Sequence, residues 1–184
     1  MIDYSLAMTQ LFNFKQKVDY KTEILAGLTV AMTMIPESLS FAILAKLPPL
    51  VGLYAAFIAG LVTLADYAKG SNVSILLESH GKVVYKDMLL KIMADANHPK
   101  VGLIWDFFNM WVVTKEPPKE VFATLHQYIK HVHLKDASLV NGKPAYCLIG
   151  HGVAPLREAM DSLKNANYKG YYSFEWEKKW HPEI

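Results

Sequence analysis

The sequence predicts an α/β chain in two parts: an apolar helical hairpin over residues 1–64, then four parallel βα units over residues 65–184, half of an eight-stranded barrel. Three observations predict this. All seven histidines and all four tryptophans lie beyond residue 65, whereas Lys15, Lys17, Lys21 and Lys46 are the basic residues before it and Asp3, Asp19, Glu23 and Glu37 the acidic ones. Ile24 to Pro36 carries no charge, and Leu47 to Ala65 is a run of 19 residues without one. After Ser71, short apolar stretches alternate with segments of helical spacing.

The chain has 184 residues, enough for one ordinary domain or a small domain plus an appendage. A net charge of +2 and no basic stripe interleaved with aromatics exclude nucleic acid as the expected partner. The single cysteine, Cys147, excludes an internal disulfide and fits a reducing compartment; it reads as a small buried hydrophobe.

In the first part, a polar lead (Leu11 to Glu23) precedes two apolar stretches, Ile24 to Ala45 and Leu47 to Ala65. The start lacks the charged region, short apolar run and small-residue cleavage site of a signal peptide. Each stretch is long enough to span a bilayer, with Lys46, Pro48 and Pro49 forming the turn between them. Lys15, Lys17 and Lys21 would hold the N-terminus on the cytoplasmic side. Pro36-Glu37 is the functional-looking spot, because a carboxylate at membrane depth is costly unless it faces protein or water. The alternative is a soluble helical hairpin buried against another domain.

In the second part, Val73 to Leu77 reads as a strand ending in Glu78-Ser79-His80, and Lys86 to Ala94 as a helix. Val101 to Trp105 is a second strand ending at Asp106. Pro117-Pro118 opens a helix to about Tyr128, with proline where its missing N–H costs little. Ile129 to Leu134 is a third strand, Gly150-His151-Gly152 a loop, Ala154 to Asn165 a helix, and Tyr171 to Trp176 a fourth strand containing Glu175. Each strand ends in a metal-ligand type: Glu78, Asp106, His133 and Glu175. Strand C-termini of parallel α/β folds share one face, where active sites are built. Three carboxylates and one imidazole there make a hard site suited to Mn²⁺, Mg²⁺ or Co²⁺, with Zn²⁺ less favoured; the alternative is a solvated charged rim.

Two family resemblances sit on these residues. AGLTVA, IPES and PPLVGLYAA, in that order within residues 11–64, resemble the first two membrane helices of the SulP family of sulfate and other anion transporters. The resemblance implies a first helix broken near the proline, with Pro36, Glu37 and Ser38 as the remnant of an anion site. ILLESH, VGLIWDFFN, YIKHVHLKDA and LIGHGVAPLREAMDSLKNANYKGYYSFEWE resemble the last four strands of the sugar phosphate isomerase/epimerase family, the xylose isomerase-like TIM barrels. This resemblance implies the C-terminal half of a (β/α)8 TIM barrel, a metal held by Glu78, Asp106, His133 and Glu175, and a small sugar or sugar phosphate as substrate. It implies proton transfer through an enediolate, Glu78 and Glu175 acting as base and acid on opposite faces, and His80, Asn109 and Lys135 nearest the substrate. Some family members carry histidine where Asn109 stands.

His131 is expected to point away from the site or to lie in a layer behind it. Asp136 and Glu177 are expected to pair with neighbours rather than bind the ion, Trp105 and Trp176 to be core, and His98, His126 and His181 to be surface. His151 is read as a loop residue that either closes over the site or stays in solvent. The related endonuclease IV-like enzymes would need further histidine and acidic ligands and a basic face. Two other readings remain: a membrane fragment of a SulP-type transporter, or a non-functional fusion joined near Leu64–Ala65. The expected location is a membrane, through residues 24–65, with the second part cytoplasmic; the alternative is a cytoplasmic chain. A half barrel has two open strand edges, so it is expected either to close as a homodimer or to be covered by the N-terminal hairpin.

Overall fold

The computed structural model describes residues 19–175. Residues 11–18 of the transporter-like segment, with Lys15 and Lys17, and Trp176, Glu177 and His181 lie outside the described residues. The chain forms two compact units that meet between Ala56 and Phe57.

In the first unit, Asp19 caps helix α1 (Tyr20–Leu44), accepting from Lys21 N at 3.2 Å and Thr22 Oγ1 at 2.6 Å. The helix runs through Pro36 without the break that the transporter resemblance implies. Hydroxyls bond to carbonyls on both sides of the proline: Thr33 Oγ1 donates to Val30 O at 2.9 Å and Ser40 Oγ to Pro36 O at 2.7 Å. Pro36 has no N–H to donate to the carbonyl four residues back, and these hydroxyls bond to other carbonyls of the neighbouring turns. Lys46, in the left-handed region at φ 57°, reverses the chain, and helix α2 (Pro49–Tyr67) begins at Pro49. The helices approach closely where Gly52 faces α1: a Cβ there would collide with the Ser38 carbonyl and come within 3.1 Å of Ala42 Cβ. Both helices are long and apolar enough to cross a membrane. Ile24, Leu25, Phe41 and Leu44 of α1 are exposed, Leu44 at 78%.

The second unit, from Phe57 on, holds the end of α2 and the half barrel. Strands β1 (Ile75–Glu78), β2 (Val101–Asp106), β3 (Ile129–Leu134) and β6 (Tyr171–Phe174) form one parallel sheet in the order β1-β2-β3-β6. Helices α3 (Lys86–Ala96), α4 (Phe107–Thr114), α5 (Pro118–Leu125) and α6 (Leu156–Asn165) connect them, with a 3₁₀ turn at His126–Tyr128. Leu89, Ile92, Leu103, Trp105, Phe108, Val121, Leu125, Val132 and Leu163 are buried. The Trp105 ring lies 5.8 Å from Phe107 and 5.4 Å from Phe122, as expected for a core tryptophan. Because side chains alternate across a strand, Trp105 points to the helical layer and Asp106 to the barrel interior.

Two elements go beyond the expected alternation. Helix α4 follows β2 without a loop, since Asp106 is both the last strand residue and the helix cap. Its apolar, β-branched sequence hides a helix whose sequence signal is the capping aspartate. Between β3 and α6 lies an antiparallel hairpin, β4 (Asp136–Val140) and β5 (Lys143–Cys147). Asn141 and Gly142 at its tip have φ 51° and 77°, the two positive values of a type I′ turn, which the Asn-Gly dipeptide encodes. His98, expected at the surface, is instead largely enclosed: its ring is 9% exposed, with Nε2 3.4 Å from an Asp66 carboxylate oxygen and Nδ1 accepting from Lys100 N at 3.1 Å. The turn between α3 and β2 folds the ring inward. His126 is exposed, as expected.

Candidate metal centre

Parallel register brings the strand ends together. Asp106 is the register neighbour of His133, and His133 of Ser173, while Glu175 N donates to Leu134 O at 2.9 Å just beyond β6. One ligand-type atom from each of Glu78, Asp106, His133 and Glu175 lies within 4.8 Å of the others. His133 Nδ1 stands 3.0 Å from Glu78 Oε1 and 3.4 Å from Glu175 Oε2. Lys135 Nζ stands 2.8 Å from both Asp106 Oδ2 and Glu175 Oε2.

The two oxygens of Asp106 have different tasks. Oδ1 accepts from Asn109 N at 2.8 Å and caps α4, which leaves Oδ2 for the site. Burial pushes the Asp106 carboxyl up to about 7, against the pull of Lys135. Burial also opposes the Lys135 ammonium, but Asp106 and Glu175 hold it above the ordinary lysine range. Burial works against ionised Glu175 as well, yet the Lys135 hydrogen bond keeps it below its ordinary value. The outcome is a buried Asp106–Lys135 pair with Glu175 attached, in which burial makes the Asp106 carboxyl harder to ionise.

Residues that the strand-end reasoning passed over hold this geometry. Ser79 is buried at the end of β1; its Oγ accepts from Asp106 N at 2.9 Å and donates to Asp106 O at 3.1 Å, clamping β1 to β2. His131 does not point away from the site: residues two apart on a strand share a face, so its ring stacks edge-on to His133 at 5.5 Å. His131 Nε2 bonds to Ser173 Oγ at 2.7 Å, forming a polar layer beneath the cluster. Asp136 fastens a loop rather than pairing with a cation. Its buried carboxylate accepts from the backbone N–H groups of Ala137, Gly150, Gly152 and Ala154 at 2.9–3.0 Å. That network secures the Gly150-His151-Gly152 loop, on which His151 is exposed.

Of the residues expected near a substrate, Lys135 is buried against the carboxylates, Asn109 has a buried Nδ2 with no hydrogen-bond partner among the described residues, and His80 is exposed after β1. Pro36 and Glu37 are exposed on α1 and Ser38 is half-buried; all three belong to the first unit. A groove of about 850 Å³ lies along α5 and α6, lined by Phe122, Pro155 and Leu156, and none of the four clustered residues borders it.

The donor set fits a divalent ion. Ligands on opposite sides of a small hard cation stand about 4 Å apart, which the 4.8 Å cluster accommodates, and carboxylates with one imidazole suit Mn²⁺, Mg²⁺ or Co²⁺. The Lys135 ammonium already offsets part of the negative charge of this cluster.

Residues 15–183 match the family described as xylose isomerase-like TIM barrel, and the chain belongs to that family. A xylose isomerase-like TIM barrel protein from Mycobacterium smegmatis, solved in complex with magnesium, is similar at TM-score 0.58 and 22% identity, over 67% of this chain and 44% of that one. The 3-keto-D-glucoside 4-epimerase of E. coli is similar at TM-score 0.57 and 17% identity, over 68% and 47%. Part of the chain is also similar to probable sulfate transporter 3.3 of Arabidopsis thaliana, 50% identical over 83 residues, which is 45% of this chain and 13% of the transporter. The chain thus spans less than half the length of each of these proteins.

Proposed function

We propose that residues 65–184 carry a divalent-metal isomerase or epimerase site acting on a small sugar or sugar phosphate. The observation that carries this reading is the convergence of Glu78, Asp106, His133 and Glu175 from four successive strand ends. A bound Mn²⁺, Mg²⁺ or Co²⁺ would polarise the carbonyl and neighbouring hydroxyl of the sugar, acidifying the carbon between them. Glu78 and Glu175 then act as the proton-transfer pair: one carboxylate takes the proton from that carbon and the other returns one. His133 Nδ1, which faces both glutamates, would be the imidazole ligand of such an ion. The buried Asn109 Nδ2 is available to a substrate oxygen, and His80 stands at the exposed rim.

The test is Mn²⁺ titration by calorimetry, followed by incubation with a panel of ketoses, aldoses and their phosphates in D₂O. Incorporation of deuterium next to the carbonyl, lost in Glu78→Gln and Glu175→Gln, supports the reading. Metal binding unchanged in alanine variants of all four ligands overturns it and favours a non-functional fusion.

The exposed apolar faces of α1 and the transporter likeness support a second role, for residues 1–64, as a membrane anchor with the barrel units cytoplasmic. Pro36, Glu37 and Ser38 are in this reading the remnant of an anion site, and the seam lies at Leu64–Ala65. Resistance of the full chain to carbonate extraction from membranes supports the anchor, and release into the supernatant overturns it. A second copy would add four strands to the sheet, and gel filtration in detergent distinguishes dimer from monomer.

A further inference from the structure

Lys135 is buried to 3% exposure, follows His133 by two positions on the chain, and places its ammonium 2.8 Å from one oxygen of Asp106 and one of Glu175. Those oxygens belong to two of the four proposed ligands. An ammonium and a divalent ion cannot share the same lone pairs at hydrogen-bonding range without strong repulsion. The ammonium also lies 5.9 Å from the centre of the Tyr146 ring on β5, an aromatic face next to the site.

We propose that Lys135 is a positioning residue that serves as the resident cation of the metal-free site: it holds Asp106 and Glu175 together until a divalent ion takes its place, and then moves toward the Tyr146 face. This rests on the metal-site reading above. Three consequences follow from the geometry. The carboxylates stay assembled without metal, because the ammonium offsets their mutual repulsion. The ion must displace a bound positive charge, which lowers its apparent affinity. A side chain that keeps the volume but loses the charge therefore weakens the empty protein and strengthens ion binding.

The experiment compares wild type, Lys135→Met and Lys135→Arg by thermal melting with and without Mn²⁺, and by Mn²⁺ titration followed by electron paramagnetic resonance. Lys135→Met is expected to melt several degrees lower without metal, to bind Mn²⁺ about tenfold tighter or better, and to regain the lost stability at saturating Mn²⁺. Lys135→Arg, which keeps the charge, is expected to retain the metal-free stability. If Lys135→Met does not fold, Asp106→Asn/Lys135→Met removes both charges of the buried pair and is expected to restore folding. A double variant that also fails to fold overturns the pairing role.

Wild type that binds Mn²⁺ while Lys135→Met binds no tighter overturns the resident-cation role and leaves the metal site standing. Equal metal-free melting of wild type and Lys135→Met overturns it as well. Binding by Lys135→Met alone supports it, since the ammonium then blocks the site in the wild type. No binding by either protein overturns the metal-site reading, and the inference with it.

Discussion

Glu78 Oε1 lies 3.0 Å from His133 Nδ1 although 55 residues separate them in the chain. Two parallel pairings, β1 with β2 and β2 with β3, carry that distance, and each has a register set by apolar residues remote from the site. The contact therefore reports the pairing of β1, β2 and β3, and changes that shift their register should disperse the cluster.

Single removal of a ligand should be decisive. Asp106→Asn, His133→Ala, Glu78→Gln and Glu175→Gln are each expected to weaken Mn²⁺ binding at least ~10-fold, since ligand-shell changes typically cost 10- to 100-fold or more. Asp106→Ala should in addition loosen α4, whose first turn Asp106 caps, whereas asparagine caps about as well as aspartate. Calorimetric titration measures the first effect and the helical circular dichroism signal the second. An Asp106→Asn protein with wild-type affinity would remove that residue from the site.

The buried Asp136 carboxylate binds four backbone N–H groups, in a buried bond from Ala137 and part-buried ones from Gly150, Gly152 and Ala154. Asp136→Ala leaves several of them without partners, and each buried orphan costs about 1–3 kcal/mol. The expected result is a loss of roughly 3 kcal/mol or more in urea unfolding, with new proteolytic cleavage near Gly150. Unfolding that matches the wild type would show that the loop holds itself.

Cys147 offers a pH test. Burial, helped by the nearby Asp136 carboxylate, raises its thiol above the ordinary value of 9.0. The thiolate is the reactive form, so alkylation by iodoacetamide should be slow at pH 7 and accelerate only as the pH climbs past 9. Mass spectrometry of the labelled chain measures the rate. Reaction at pH 7 as fast as that of an exposed cysteine peptide would contradict the burial.

In the hairpin, Gly52 leaves room for the Ser38 carbonyl. Gly52→Val must push the helices apart at that point, because the obstacle is backbone and cannot rotate away. Close approach at small residues is the main source of helix pairing in lipid. The expected outcome is lower recovery of the full chain in the membrane fraction, whereas Gly60→Val, at a position with nothing within 4 Å, should leave recovery unchanged.

Much of the site is legible along the chain. The pattern that makes Ile129–Leu134 a strand also puts His133 at its end, and the same local logic places Glu78, Asp106 and Glu175. Periodicity is a short-range property, so it survives in the sequence. His131 is a lesson from the same rule: period two puts it on the ligand face with His133, where it meets Ser173. The hairpin β4–β5 was signalled by Asn141-Gly142, and α4 by the capping Asp106.

By itself the sequence determines two apolar helices, four strands in βα order and one ligand type at each strand end, because apolar spacing and turn residues act over a few positions. Tertiary structure alone decides that Lys135 sits between Asp106 and Glu175, that Ser79 clamps β1 to β2, and that Asp136 ties down the glycine loop. Which charge faces which depends on distances between elements far apart in the chain, 40 residues for Lys135 and Glu175 and 55 for Glu78 and His133, and no local pattern encodes those distances.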